Sequence, residues 1–191
     1  ITSCNSGFDK IVEPLAEEAI KQFKNLTTAA PHYTGDTDNP EEPSLTKIKK
    51  YYEDLVVNHL VVSWGHQDDK LVNGKVDYSQ DCYQGNCYFD IPATKGHEND
   101  PMLILQGHID IVEDHNIQKL PKFDRHEYII DLVEDKDKDG RPILHSADYK
   151  TTIGGDDGAV VAAMLAIAAK RDEFEHGAIR CLLTTDEETG M

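Results

Sequence analysis

The sequence predicts an α/β domain with a central, largely parallel sheet flanked by helices. Three observations carry this. Met102-Leu103-Ile104-Leu105-Gln106-Gly107-His108 is a continuous apolar run ending in polar residues, the pattern of a strand buried on both faces. Ala178 to Thr185 is a second run of this kind. Between them lies a strongly apolar, Ala-rich stretch, 158–170, which reads as a buried helix. Strands alternating with helices favour parallel pairing through right-handed crossovers.

The elements follow in order. Phe8, Ile11, Val12, Leu15, Ala19, Ile20 and Phe23 recur at three- and four-residue steps and predict an amphipathic helix. Residues 31–43 hold Pro31, Gly35, Pro40 and Pro43 among several acids and read as a loop. Ser44 is a suitable N-cap for a second helix, with Leu45, Ile48, Tyr52, Leu55, Val56 and His59 on one face. Residues 65–80 are polar, contain Gly65 and Gly74, and are expected to hold turns. Cys87 to Pro92 reads as a short strand. Tyr128 to Val133 and Ile143 to Leu144 flank a charged turn and predict a hairpin.

Composition bounds the function. The 191 residues suffice for one sizeable domain, and the net charge is -17. So acidic a chain repels phosphate backbones, which argues against a nucleic-acid partner. No apolar run approaches the roughly 18 residues that span a bilayer. Of the four cysteines, Cys181 sits in an apolar strand pattern and reads as a small core residue. Cys82 and Cys87 are close enough to pair across a turn, but free thiols are expected, and their spacing does not suit a zinc site. Ile1-Thr2-Ser3-Cys4 resembles the end of a bacterial lipoprotein processing site, which leaves a form anchored at Cys4 open.

Three segments carry candidate chemistry, each at the end of an apolar run. His108 and Asp110 are two apart at a strand end, where side chains share a face, so an imidazole can bind metal while a carboxylate orients it. Asp156 and Asp157 lie between Gly155 and Gly158 before the buried helix. Acids there suit a helix dipole, but two hemmed by glycines exceed what a cap needs, and one could bridge two cations. Glu187 and Glu188 follow the last strand; adjacent like charges are costly unless solvated or bound to cations. One can bind metal while the other stays free as a general base. Each segment alone also reads as a surface His, a simple cap or an acidic loop. Together they supply what metal-assisted hydrolysis needs.

Asp135-Lys136-Asp137-Lys138-Asp139-Gly140 matches the opening half of a calcium-binding helix–loop–helix, but Ser146 stands where the bidentate Glu belongs. Strand patterns rather than helices flank it, so a charged hairpin turn is expected. A non-catalytic, calcium-stabilised binding module is the rival reading from outside the enzymes.

Leu105-Gln106-Gly107-His108-Ile109-Asp110-Ile111-Val112 resembles the first metal motif of the aminoacylhistidine dipeptidases, the Xaa-His or carnosinase-like members of the two-zinc peptidases and deacylases. Lys150 to Gly158 resembles their second motif, and Thr184 to Met191 their third. Gly85-Asn86, Pro92-Ala93-Thr94 and Ala30-Pro31-His32 also fit. The likeness runs from about residue 8 to the end.

The resemblance implies a zinc-exopeptidase-like fold and a metal-dependent dipeptidase using two divalent ions, zinc first and cobalt or manganese as alternatives. His108, Asp156 and Glu188 would be metal ligands, with Asp156 shared. Glu187 would be the general base and Asp110 would orient the site. Asp157 departs from the Asn usual in these dipeptidases, while related aminopeptidases carry Asp-Asp here. Residues 1–191 would be the N-terminal part of a catalytic domain, without the lid or dimerisation domain and the C-terminal catalytic segment. Such a piece is expected to bind metal weakly and to turn over little substrate. The substrate would be a small peptide, the whole protein a possible homodimer, and a related aminopeptidase or N-acyl amino acid deacylase the nearest rival.

Overall fold

The computed structural model describes residues 5–29, 53–60, 63–66, 71–72, 75–76, 86–110, 130–147, 149, 152–184 and 187–189. Helix α1 spans Asn5–Ala29, longer than its apolar periodicity required. Pro14 lies inside it. Proline has no N–H, so the turn around it gives up one backbone bond. The C-terminal half of α1 faces inward through Gln22, Phe23, Leu26 and Thr27, while Ile20 stays half-exposed. Of the second helix, residues 44–52 lie outside the described residues. Its end is a helical turn, Leu55–His59, closed by a Leu60 N–H to Leu55 carbonyl bond of 2.9 Å, with Val56 fully buried.

Within the region expected to hold turns, the described residues are strands; residues 67–70, 73–74 and 77–80 lie outside the described residues. Strand β1 is Ser63–His66, and β2 (Leu71–Val72) pairs antiparallel with β3 (Lys75–Val76). A polar composition hid β1 because its pairing comes from a distant partner, β4 (Cys87–Ile91). Strand β5 is Leu103–His108. The expected hairpin forms from β6 (Leu132–Lys136) and β7 (Pro142–Ser146); residues 128 and 129 of its expected first strand lie outside the described residues. Helix α2 is Gly155–Ala169 and strand β8 is Ile179–Thr184.

The main sheet has the order β1-β4-β8-β5. Only β5 and β8 run parallel; β4 pairs antiparallel with both β1 and β8. The expectation of a largely parallel sheet is therefore corrected to a mixed sheet among the described residues. The one strand–helix–strand alternation legible in sequence, β5 to α2 to β8, is the one that pairs in parallel.

Alternation along the strands places the core. Cys87, Phe89 and Ile91 of β4 lie opposite Leu183, Cys181 and Ile179 of β8, and all six are buried. They pack with Val161, Met164, Leu165 and Ala168 of α2, and with Phe23 and Leu26 of α1. The other face is polar: Arg180 donates twice to Asp90, at 2.7 Å each, and lies over the Tyr88 ring. Burial of β5 on both faces does not hold for its first half, where Leu103 and Ile104 are 53% and 61% exposed. Among the described residues only β8 flanks β5. Cys87 and Cys181 are buried thiols without a disulfide, and Cys82 lies outside the described residues.

Candidate metal centre

The parallel register of β5 and β8 sets His108 opposite Thr184, so both strands deliver their C-terminal ends to one edge. Beyond His108, the Ile109 N–H donates to the Thr184 carbonyl at 2.9 Å, and Asp110 follows, 2% exposed. Beyond β8, Glu187–Thr189 forms a short turn. The third contribution comes from α2. Gly154 takes φ 67°, a left-handed value open to glycine at no steric cost. Asp156 and Asp157 have non-helical dihedrals, so the regular helix begins at Gly158, as its sequence indicated.

These elements bring the sequence-predicted residues together. Ligand atoms of His108, Asp156 and Glu188 all lie within 4.8 Å of one another. His108 Nε2 is 3.0 Å from Asp156 Oδ1 and 3.9 Å from Glu187 Oε2. His108 Nδ1 donates to the backbone carbonyl of Asp110 at 2.7 Å, closer than the Asp110 carboxylate at 3.5 Å. That carboxylate turns instead to the other strand: its Oδ2 accepts the Glu188 N–H at 3.1 Å. Asp110 thus holds the imidazole through its backbone and the Glu188 segment through its side chain, a division that spacing alone did not give.

The electrostatics favour a cation. Asp110, Asp156, Asp157, Glu187 and Glu188 crowd one imidazole, and like charges this close resist joint ionisation. Burial alone would depress the His108 pKa, but the hydrogen bonds to Asp156 and the Asp110 carbonyl, with the Asp110 and Asp157 charges, outweigh it and raise it above 6.5. Burial raises the Asp157 carboxyl above its usual 3.8, against the lowering effect of the His108 N–H and ring.

The donor set fits a divalent ion. Zinc takes imidazole and carboxylate at about 2.0–2.2 Å, which puts tetrahedral donors roughly 3.3–3.6 Å apart. The observed cluster needs only small rotations to reach this. The Asp156 side chain is 89% exposed and touches His108, whereas the His108 side chain is 6% exposed and is also held by the Asp110 carbonyl. Asp110 Oδ1 is buried without a hydrogen-bond partner, a cost that a nearby cation would offset.

Sequence reasoning missed one contact. Asp157 Oδ2 would lie 3.0 Å from a Cβ placed on Gly107, so the two residues meet across the β5–α2 interface. The signal was the glycine directly before His108. Asp186 and Gly190 of the third motif lie outside the described residues.

The described residues thus form a candidate cation site, one histidine with several carboxylates, at the C-terminal ends of the parallel pair β5 and β8. Comparisons narrow it. The chain is 35% identical over 111 residues to the cytosol non-specific dipeptidase of Escherichia coli (strain K12), a match covering 56% of this chain and 20% of that protein. Its fold is similar to the aminoacylhistidine dipeptidase of Vibrio alginolyticus (TM-score 0.57, 25% identity, 91% of this chain and 28% of that one). It is also similar to aminopeptidase PepT of Bacillus cereus ATCC 10987 (TM-score 0.56, 20% identity, 92% of this chain and 38% of that one). No family model matches the chain. The chain thus resembles the N-terminal part of the dipeptidase family that its three motifs indicated, and spans about a fifth of the length of the curated relative.

Proposed function

We propose that the chain carries the core of a metal-dependent peptidase site acting on dipeptides, Xaa-His types among them. The convergence of His108, Asp156 and Glu188 within 4.8 Å supports this most. Glu187 stands beside that cluster and outside it, as a proton carrier would.

In this reading His108, Asp156 and Glu188 would hold the two divalent ions, zinc first and cobalt or manganese as alternatives. When bound, such ions polarise the scissile carbonyl and acidify the attacking water. Glu187 accepts the water's proton on Oε2 and gives it to the leaving amine. Asp110 orients His108 and steadies the Glu188 backbone. Three donors are too few for two such ions, since zinc usually takes three or four protein ligands each. The 191 residues alone therefore bind metal weakly and turn over little substrate. A cytoplasmic location fits the cytosolic relative, with anchoring at Cys4 as the rival; no helix among the described residues is long and apolar enough to cross a membrane. In the whole protein a homodimer is the proposed assembly. The Asp156-Asp157 pair favours a related aminopeptidase as the second reading.

The test is metal content and activity in one sample. The chain is titrated with zinc, cobalt or manganese, bound metal is counted, and β-alanyl-histidine and a tripeptide are assayed. Metal binding lost in His108→Ala, with any turnover abolished by Glu187→Gln at unchanged metal content, supports the dipeptidase. Preference for the tripeptide moves the reading to an aminopeptidase. No metal bound at millimolar concentration, here and in a longer chain, overturns both.

A further inference from the structure

Glu18 and Gln22 lie one turn apart on the same face of α1. That face is polar, yet it is not given to solvent. The Glu18 side chain is 13% exposed and Gln22 is 5% exposed. Both line an open cavity of about 580 Å³ between α1, the helical turn at Leu55–His59 and the end of α2. Its charged groups are Glu18, Asp54 and Asp172 against Lys21 and Arg171, an excess of one negative charge. Leu55, Leu60 and Ala169 give it an apolar wall.

Gln22 is the anomaly. Its Nε2 donates to Glu18 Oε1 at 2.7 Å, but its own Oε1 is buried with no hydrogen-bond partner. A buried acceptor left unmet is costly. The neighbouring Glu18 carboxylate takes its one cation from Lys21, at 3.1 and 3.2 Å, and the Lys21 side chain stands mostly in solvent. Such a contact is screened and readily exchanged. Arg171 is occupied elsewhere, donating to the Ala168 carbonyl at 2.8 Å.

We propose that this cavity binds an aliphatic primary amine as its ammonium ion. The ammonium replaces Lys21 on Glu18 and gives a second of its three N–H groups to Gln22 Oε1, while the alkyl stem covers Leu55, Leu60 and Ala169. Gln22 Oε1 is closed to solvent, so the amide swings toward the cavity as the amine enters. A bare metal ion suits the cavity less, because it would leave the apolar wall uncovered. None of these residues belongs to the metal centre, so this site stands apart from the peptidase reading.

The test uses the metal-free chain. Pentylamine, cadaverine, 5-aminopentanoate and pentanol are titrated by calorimetry, and the Gln22 side-chain amide is followed by NMR. Expected are binding of the amines, none of pentanol, and a shift of the Gln22 amide. Glu18→Gln should weaken pentylamine at least tenfold, and Gln22→Leu at least threefold. Lys21→Ala, at an exposed position that the fold tolerates, should tighten it about threefold by freeing Glu18. His108→Ala should change nothing. Tighter binding of cadaverine supports the site and assigns it to polyamines, with Asp54 or Asp172 taking the second ammonium; tighter binding of 5-aminopentanoate supports it and assigns it to amino acids, with the carboxylate on Arg171. No amine bound at millimolar concentration overturns the proposal. So does pentanol binding as well as pentylamine, or pentylamine affinity that neither Glu18→Gln nor Lys21→Ala alters.

Discussion

The Glu188 N–H donates to Asp110 Oδ2 at 3.1 Å, tying the turn after β8 to the end of β5. Asp110→Ala removes this charge-assisted bond, worth about 1.5–3 kcal/mol. It also removes the unpartnered Oδ1, which returns part of that. A net loss of about 1–2 kcal/mol is expected in urea unfolding, with weaker zinc binding. Asp110→Asn keeps an acceptor for Glu188 and should lose less than half as much.

The acidic hairpin turn is already neutralised from within. Asp137 Oδ1 accepts the N–H groups of Asp139 and Arg141, both at 2.9 Å, and the Arg141 side chain binds Asp137 at 2.7 Å and Asp139 at 3.0 Å. A calcium ion would have to displace the guanidinium. Millimolar calcium should therefore leave the melting temperature unchanged; a rise of several degrees would revive the calcium-stabilised reading.

The same turn sets an acid limit. The Arg141 backbone N–H, then its side chain and the Asp139 N–H, hold the Asp137 carboxyl below its usual 3.8. A depressed carboxylate stabilises the fold above its unfolded pKa, and that contribution fades as pH falls through the lower folded value. NMR titration should place the Asp137 midpoint below 3.8. Arg141→Ala should leave most of the shift, because the backbone donor remains.

Cys181 is buried between β4 and β5, and burial pushes its thiol up to about 12. Thiolate is the reactive form, so Cys181 should resist alkylation at pH 8 in the native chain and react readily in denaturant. Peptide mass mapping after a short pulse of iodoacetamide checks this.

Leu165 is fully buried in the core, whereas Val160 on the same helix is half-exposed. Leu165→Ala should cost about 2–5 kcal/mol, through lost transfer energy and the cavity left behind. Val160→Ala should cost under about 1 kcal/mol. Comparable losses would mean that α2 packs differently.

How much was legible depended on how local the cause was. Residues 8–23 of α1, the hairpin and the start of the regular α2 helix at Gly158 were visible because periodicity, turn residues and glycines act within a few positions. The antiparallel pairings of β1 and β4, and the exposure of Leu103 and Ile104, were not. Pairing direction and edge position depend on partners tens of residues away, and a run of apolar residues looks the same in a central strand and in one flanked on a single side.

The sequence by itself determined the chemistry: one imidazole and several carboxylates at the ends of apolar runs, with Gly155 and Gly158 hemming the acid pair. Only the tertiary structure decided their arrangement. The parallel register of β5 on β8 brings His108 to Thr184 and so to Glu188. The left-handed Gly154 turns Asp156 toward the imidazole and Asp157 toward Gly107. These distances arise from packing α2 across the sheet, a free energy summed over the whole core and written in no single motif.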